Sequence, residues 1–563
     1  MITFQNYKYE RPDLHAVNQS IDQLLEQFEA ATSAEAQIKL IDDINVVRKH
    51  LDTAMNLAYV RASINTNDAF YSEERDYLDA HSGEVIQIES KFYNALANSK
   101  FKDALRETYG NQLFDLAELF VKQYDDSIKD FLNKENKISS EYSKLVASAE
   151  IEFKGETYTF AQMGQFLDSA DRSVRKEAKL AMEEYRAAQL AQYDEIYDRL
   201  VKVRHEIATK LGFKNFIELG YVRMNRVDYT PDMVKRYRDQ IHKHVVPVAQ
   251  SLYQSQMKRN GWDSLKPYDE SIVFLSGNEK PKDDGKTILE NGRKMYKELS
   301  AETDEFYQFM MDRELFDAEA KKGKEAGGYC TFIQDYKSPF IFSNFNGTDH
   351  DITVLTHEAG HAFQVYRSQD LIPDYLWPTH ESCEIHSMSM EFFTYKWMDL
   401  FFNNPDKFKY KHIGDAIKFL PYGVTVDEFQ HIVYEHPELS PQERRAEWTK
   451  LEQKYLPHKD HDGIAALEGG AFWHRQGHIF GSPFYYIDYT LAQVCAFQFF
   501  KRSTEDFEEA WKDYLHICDI GGSLPFNKIV EAANLRSPFQ DGTLEDTMTF
   551  LEDYLDEIDT SNF

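Results

Sequence analysis

Apolar residues recur at every third and fourth position through most of this chain. In residues 15–125, Ile21, Leu24, Leu25 and Phe28 share one helical face, as do Leu105, Tyr109, Leu113 and Leu116. Few breakers intervene, which predicts a long antiparallel helical array. The period shortens to two in only a few places. Residues 151–160 (IEFKGETYTF) alternate around Gly155 and predict a small hairpin, with helical spacing resuming from about Ser173. Thr230-Pro231 offers an N-cap and a first-turn proline, and Thr425–Glu428 and Ser440–Glu443 both fit a capping box. Residues 277–286 (GNEKPKDDGK) read as a polar loop. The clearest strand region is 327–346, which ends in the turn signal Asn346-Gly347, with Thr348 or Asp349 placed to cap a helix over Asp351–Tyr366. An exposed sheet edge beside that helix could take up an extended peptide through backbone hydrogen bonds.

At 563 residues the chain is too long for one core. We divide it into an N-terminal helical lobe, 1–190, and a second, larger domain, 191–563. Hydrophobic residues make up 42%, which is enough for large cores and excludes a disordered chain. A formal net charge of −31 disfavours nucleic acid and anionic membranes as partners. Cys330, Cys383, Cys495 and Cys518 form no CxxC pair, the N-terminus has no apolar leader segment, and no apolar run approaches the ~20 residues of a membrane span. These features fit a cytoplasmic protein; they do not set its oligomeric state.

The chemistry concentrates in His357-Glu358-Ala359-Gly360-His361. On a helix, residues four apart project from one face, so two imidazoles at this spacing can grip one Zn²⁺. Glu358 lies about 100° round from His357, within reach of a water at the metal but outside the ligand set. HExxH alone arises by chance in roughly one such chain in twenty, so its surroundings must decide. A catalytic zinc takes three protein ligands and keeps one position open. Helical spacing resumes through 380–391, where Glu384 and Glu391 lie seven apart on one face with His380. Glu384 is the candidate third ligand, with Glu381, His380 and Glu391 as alternatives, and Glu391 is the candidate carboxylate orienting a zinc histidine.

Three ordered blocks together resemble the thimet oligopeptidase and oligoendopeptidase F family of zinc metallopeptidases, specifically its bacterial, Pz-peptidase-like branch. They are His357–Gln364 (HEAGHAFQ), Glu384-x-x-Ser387 with Glu391, and His478–Tyr489 (HIFGSPFYYIDY). Ala359 departs from the pattern, since many members carry a bulky apolar residue there, and the tyrosine block is one residue shorter than in thimet oligopeptidase. The resemblance implies a mainly α fold: a two-lobed, clam-like body enclosing a channel, with a small β-sheet next to the zinc helix. It implies one zinc per chain, ligated by His357, His361 and Glu384. Glu358 is then the general base, and His478, Tyr486 and Tyr489 contact the transition state. Read without it, Tyr485, Tyr486 and Tyr489 are core aromatics and His474 is structural. The implied activity is endopeptidase action on short unfolded oligopeptides. An exopeptidase on the same scaffold, with Arg475 as a terminus clamp, is the alternative, and a helical zinc-binding scaffold without catalysis is a third reading.

Overall fold

The computed structural model describes residues 2–563, with Asp126 through its backbone alone. It is mainly helical, with two small sheets. No helix among the described residues is long and apolar enough to cross a membrane. The residues group into two compact units, each assembled from three stretches of chain. Unit 1 is Met1–Lys122, Glu279–Pro405 and Cys495–Ser537; unit 2 is Gln123–Asn278, Asp406–Val494 and Pro538–Phe563.

In unit 1 the expected helical array is present. Asp13 caps the helix Leu14–Ala30 by accepting from the Ala16 N–H, and Ile21, Leu25 and Phe28 are buried on its inner face. They join Ile41, Ile44, Phe92, Leu96, Leu105 and Leu113 in one cluster. The stretch containing Leu105 and Leu113 is two helices, Lys102–Tyr109 and Gln112–Gln123, because Gly110 sits at φ 84° between them. Buried Tyr375 spans this break: its hydroxyl donates to the Tyr109 carbonyl at 2.7 Å and accepts from the Leu113 N–H at 2.9 Å.

The sheet of unit 1 has three strands, β3 (Phe316–Glu319), β4 (Tyr329–Ile333) and β5 (Ser338–Phe345), in the order β3-β5-β4. β4 and β5 fall in the expected region and pair antiparallel, and β3 adds parallel to β5. β3 carries no strand signature of its own, being the four residues FDAE. The buried Lys324 amine ties it down, donating to the Asp317, Glu319 and Ser343 carbonyls.

Unit 2 contains the hairpin expected around Gly155, formed by β1 (Ile151–Phe153) and β2 (Glu156–Tyr158). Lys154 (φ 51°) and Gly155 (φ 83°) make its left-handed turn, and Ile151 and Phe153 face a core shared with Met163, Ala178 and Met182. Its larger core stacks Tyr197, Phe429, Trp448, Trp473 and Phe480. Thr230 caps Pro231–Gln240, and Ser440 and Glu443 form a true capping box. The same pattern at Thr425 does not start a helix. Thr425 lies inside Pro405–Glu435, where its hydroxyl donates to the carbonyl of Pro421, one turn back, at 2.7 Å.

Candidate metal centre and histidine–tyrosine group

The helix carrying HExxH runs His350–Ser368 and packs against β4, β5 and the helix His380–Phe393. Asp349 takes the N-cap position without a side-chain cap bond. Asp351 organises the start instead, its carboxylate accepting the Asn346 N–H at 2.9 Å and the Gly347 N–H at 2.8 Å. The two helices meet at Gly360. A Cβ there would lie 2.6 Å from the His386 carbonyl oxygen and 2.7 Å from the Ser387 Cα, so only glycine permits this approach. Ala359 and Phe363 are buried behind the motif, and Tyr514 steadies the second helix by donating to the His386 carbonyl at 2.9 Å.

This contact brings three sequence-predicted ligands together. One donor atom each from His357, His361 and Glu384 lie within 4.8 Å of one another. Glu384 Oε2 is 3.2 Å from His357 Nε2 and 3.5 Å from His361 Nε2. Ligands about 2 Å from one tetrahedral ion stand about 3.3 Å apart, so the donor set fits a divalent cation of zinc's size. The helix spacing is what makes this possible, since both imidazoles leave one face and Glu384 meets them from the facing helix.

Neighbouring groups hold these atoms in place. Glu391 Oε1 lies 2.7 Å from His357 Nδ1, which places a proton on Nδ1 and turns Nε2 towards the donor group. Ser387 donates to Glu384 Oε2 at 2.9 Å. Burial opposes a charge on His357 most strongly, yet Glu384 and Glu391 together push its pKa well above the usual value. Burial raises Glu384, but the two histidines overcome it and hold the carboxyl well below its ordinary range. His380, an alternative ligand on sequence spacing, is exposed at the start of its helix.

Glu358 stands beside the donor group and outside it. It is buried, and its Oε2 has no hydrogen-bond partner. Burial, reinforced by Glu384 and Glu391 against the two histidines, raises its pKa. Gly328, just before edge strand β4, comes close enough that a Cβ there would lie 3.5 Å from Glu358 Oε1. Cys330 on β4 is kept as the thiol, chiefly by burial and then by the charge of Glu358.

The third sequence block forms a group in unit 2. The His478 ring packs against Tyr485, Tyr486 and Tyr489, with centroids at 5.7, 5.0 and 5.9 Å. Sequence reasoning missed two residues here, Tyr422 and Gln476. The Tyr422 hydroxyl donates to Gln476 Oε1 at 2.7 Å, which turns the amide nitrogen to His478 Nδ1, also at 2.7 Å. Nδ1 is therefore an acceptor, and His478 presents its proton on Nε2. Burial lowers the pKa of His478, favouring this neutral donor form. No sequence motif marks Tyr422, which lies far from His478 along the chain. The tyrosine turn is fixed by buried Arg226, which donates to the Phe484 carbonyl at 2.5 Å and to Asp488 Oδ1 at 2.8 Å. Phe484 is held left-handed at φ 68°, a conformation that costs a non-glycine residue about 1–2 kcal/mol. His474 is structural: it stacks on Tyr193 and its Nε2 sits 3.1 Å from Asp194.

Comparison with known proteins places the chain in a family. Residues 165–549 match Peptidase family M3, and residues 4–124 match the Peptidase M3 N-terminal domain. The chain belongs to peptidase family M3. This peptidase is 52% identical to the protein in a structure titled PZ peptidase A with inhibitor, over 99% of each chain, with a TM-score of 0.93. It is 50% identical to a putative oligoendopeptidase F from Bacillus anthracis, over 99% of each chain, with a TM-score of 0.89. An oligoendopeptidase F homolog from Borreliella burgdorferi is 24% identical over 466 residues, 76% of this chain and 74% of the relative. The peptidase is thus a metallo-oligopeptidase of the oligoendopeptidase F type.

Proposed function

We propose that the peptidase hydrolyses internal bonds of short, unfolded oligopeptides, with one Zn²⁺ held by His357, His361 and Glu384. When bound, zinc supplies Lewis acidity at the scissile carbonyl and lowers the pKa of a water to roughly 7. Every other step falls to the chain's own groups. Glu358 accepts the water proton at its unpartnered Oε2 and returns it to the departing amine. Its raised pKa suits both halves of that transfer, because a weakly basic carboxylate would hold the proton too loosely. Glu391 keeps the proton of His357 on Nδ1. The substrate backbone lies along the β4 edge beside Gly328. His478 Nε2–H and the phenols of Tyr486 and Tyr489 donate to the oxyanion that attack creates.

The observation that carries this reading is Glu358, a buried carboxylate with an unpartnered oxygen next to a cation donor set to which it does not belong. A peptide blocked at both ends tests the endopeptidase assignment. Cleavage within it, abolished by a chelator and restored by zinc, is expected when products are mapped by mass spectrometry. Cleavage confined to unblocked ends would show an exopeptidase.

A further inference from the structure

Unit 2 contains a charge cluster that the proposed reaction does not use. Lys179 Nζ, Arg186 Nη1 and Arg475 Nη2 all converge on one atom, Glu183 Oε1, at 3.1, 3.1 and 2.7 Å. Among the described residues, no second carboxylate lies within ion-pair range of any of the three cations. Two other acids of this unit have partners of their own. Glu270 is 2.7 Å from Lys459 Nζ, and Asp194 is bound to Arg445 and His474. Three cations therefore share a single negative charge.

They also share it in a poorly hydrated place. The side chain of Glu183 is 1% exposed, that of Lys179 7% and that of Arg186 14%. Surplus charge of one sign is costly in such surroundings unless a counter-ion completes it. The cost shows on the members: burial, with the charge of Arg475, pulls Lys179 down to about 8 and Arg186 to about 10. Arg475 keeps 22% of its side chain exposed, so the cluster opens to solvent on that side. Its guanidinium carbon lies over the Phe472 ring, 4.0 Å from the centroid, and that of Arg186 over Phe160 at 4.0 Å, which holds both forks. Arg475 immediately precedes Gln476 and stands three residues before His478, so the cluster adjoins the histidine–tyrosine group within the same unit.

We propose that Lys179, Arg186 and Arg475 form a carboxylate-binding subsite for the peptide substrate. The inference rests on the reading of this protein as an oligopeptidase. Its ligand is the free α-carboxylate of a short peptide or an acidic side chain close to that end. Arginine forks match a carboxylate in two parallel hydrogen bonds, and Glu183 keeps the cations gathered while the subsite is empty.

The test compares internally quenched peptides of one sequence ending in a free carboxylate, in an amide, or in a glutamate amide. The free acid is expected to exceed the plain amide in kcat/KM by about 10- to 100-fold, the range of one charge-assisted hydrogen bond. Arg475→Met and Arg186→Met should each compress that ratio towards one. Recovery of the preference by the glutamate amide would name the side-chain source, and its absence the α-carboxylate. Binding of the same peptides to the Glu358→Gln protein, measured by calorimetry, reads the preference without turnover. Equal handling of acid and amide by the wild-type protein, or a ratio that survives both substitutions, overturns the subsite. Failure to cleave a doubly blocked peptide, with the acid preference intact, would instead overturn the endopeptidase reading.

Discussion

Two regions of this molecule gather charge of opposite sign. In unit 1, Glu358, Glu384 and Glu391 surround two imidazoles. In unit 2, Lys179, Arg186 and Arg475 surround one carboxylate. Each group is largely buried, and within each the named residues of one sign outnumber those of the other. Burial magnifies an uncompensated charge, so a fold retains one only where something else completes it. The acid-rich group fits a divalent cation and the cation-rich group a carboxylate. On the two proposals made for these groups, the difference teaches that charge imbalance, more than the presence of ion pairs, marks a ligand site.

The sharpest way to break the comparison is Glu358→Gln. The side chain keeps its size and loses its base, so kcat should fall by about 10²–10⁴ while elemental analysis still finds zinc. Full activity would remove Glu358 from the mechanism. Next in size is Glu391→Gln, which leaves all three ligands but loosens the ring of His357. Metal affinity should drop about 10- to 100-fold in a chelator competition, and an unchanged value would make the 2.7 Å contact merely structural. Gly360→Ala attacks the close approach of the two ligand-bearing helices. Its Cβ meets backbone that cannot swing aside, so about 1–3 kcal/mol of stability should be lost, read from urea unfolding.

The smallest effect belongs to the cationic group. Lys179 titrates at about 8 in the folded protein and near the ordinary 10.5 when unfolded. Between those values the unfolded chain binds the extra proton, so stability should rise with pH through this window. Below pH 8 both states are protonated and the slope vanishes. Lys179→Met should flatten the wild-type rise, seen as a difference between their urea midpoints at pH 8 and pH 10.

Much of the metal centre is legible in the sequence because helix geometry is local. A spacing of four from His357 to His361, and of seven from Glu384 to Glu391, fixes which side chains share a face before any packing is known. The Gly155 hairpin and the Ser440 cap are legible for the same reason. Thr425 shows the limit: its pattern imitates a helix start, but Pro421 lies one turn back and its carbonyl takes the hydroxyl. β3 shows another, because FDAE becomes a strand only when β5 supplies a partner.

By itself the sequence determined the helical character of the chain and the shared faces that carry the candidate ligands and the candidate base, since each depends on residues within a few turns. The tertiary structure decided which acid on the second helix meets the histidines, that Gly360 must have no side chain, that Tyr422 and Gln476 set the proton on His478, and that three cations close on Glu183. Those facts depend on distances between segments far apart in the chain, and packing alone sets such distances.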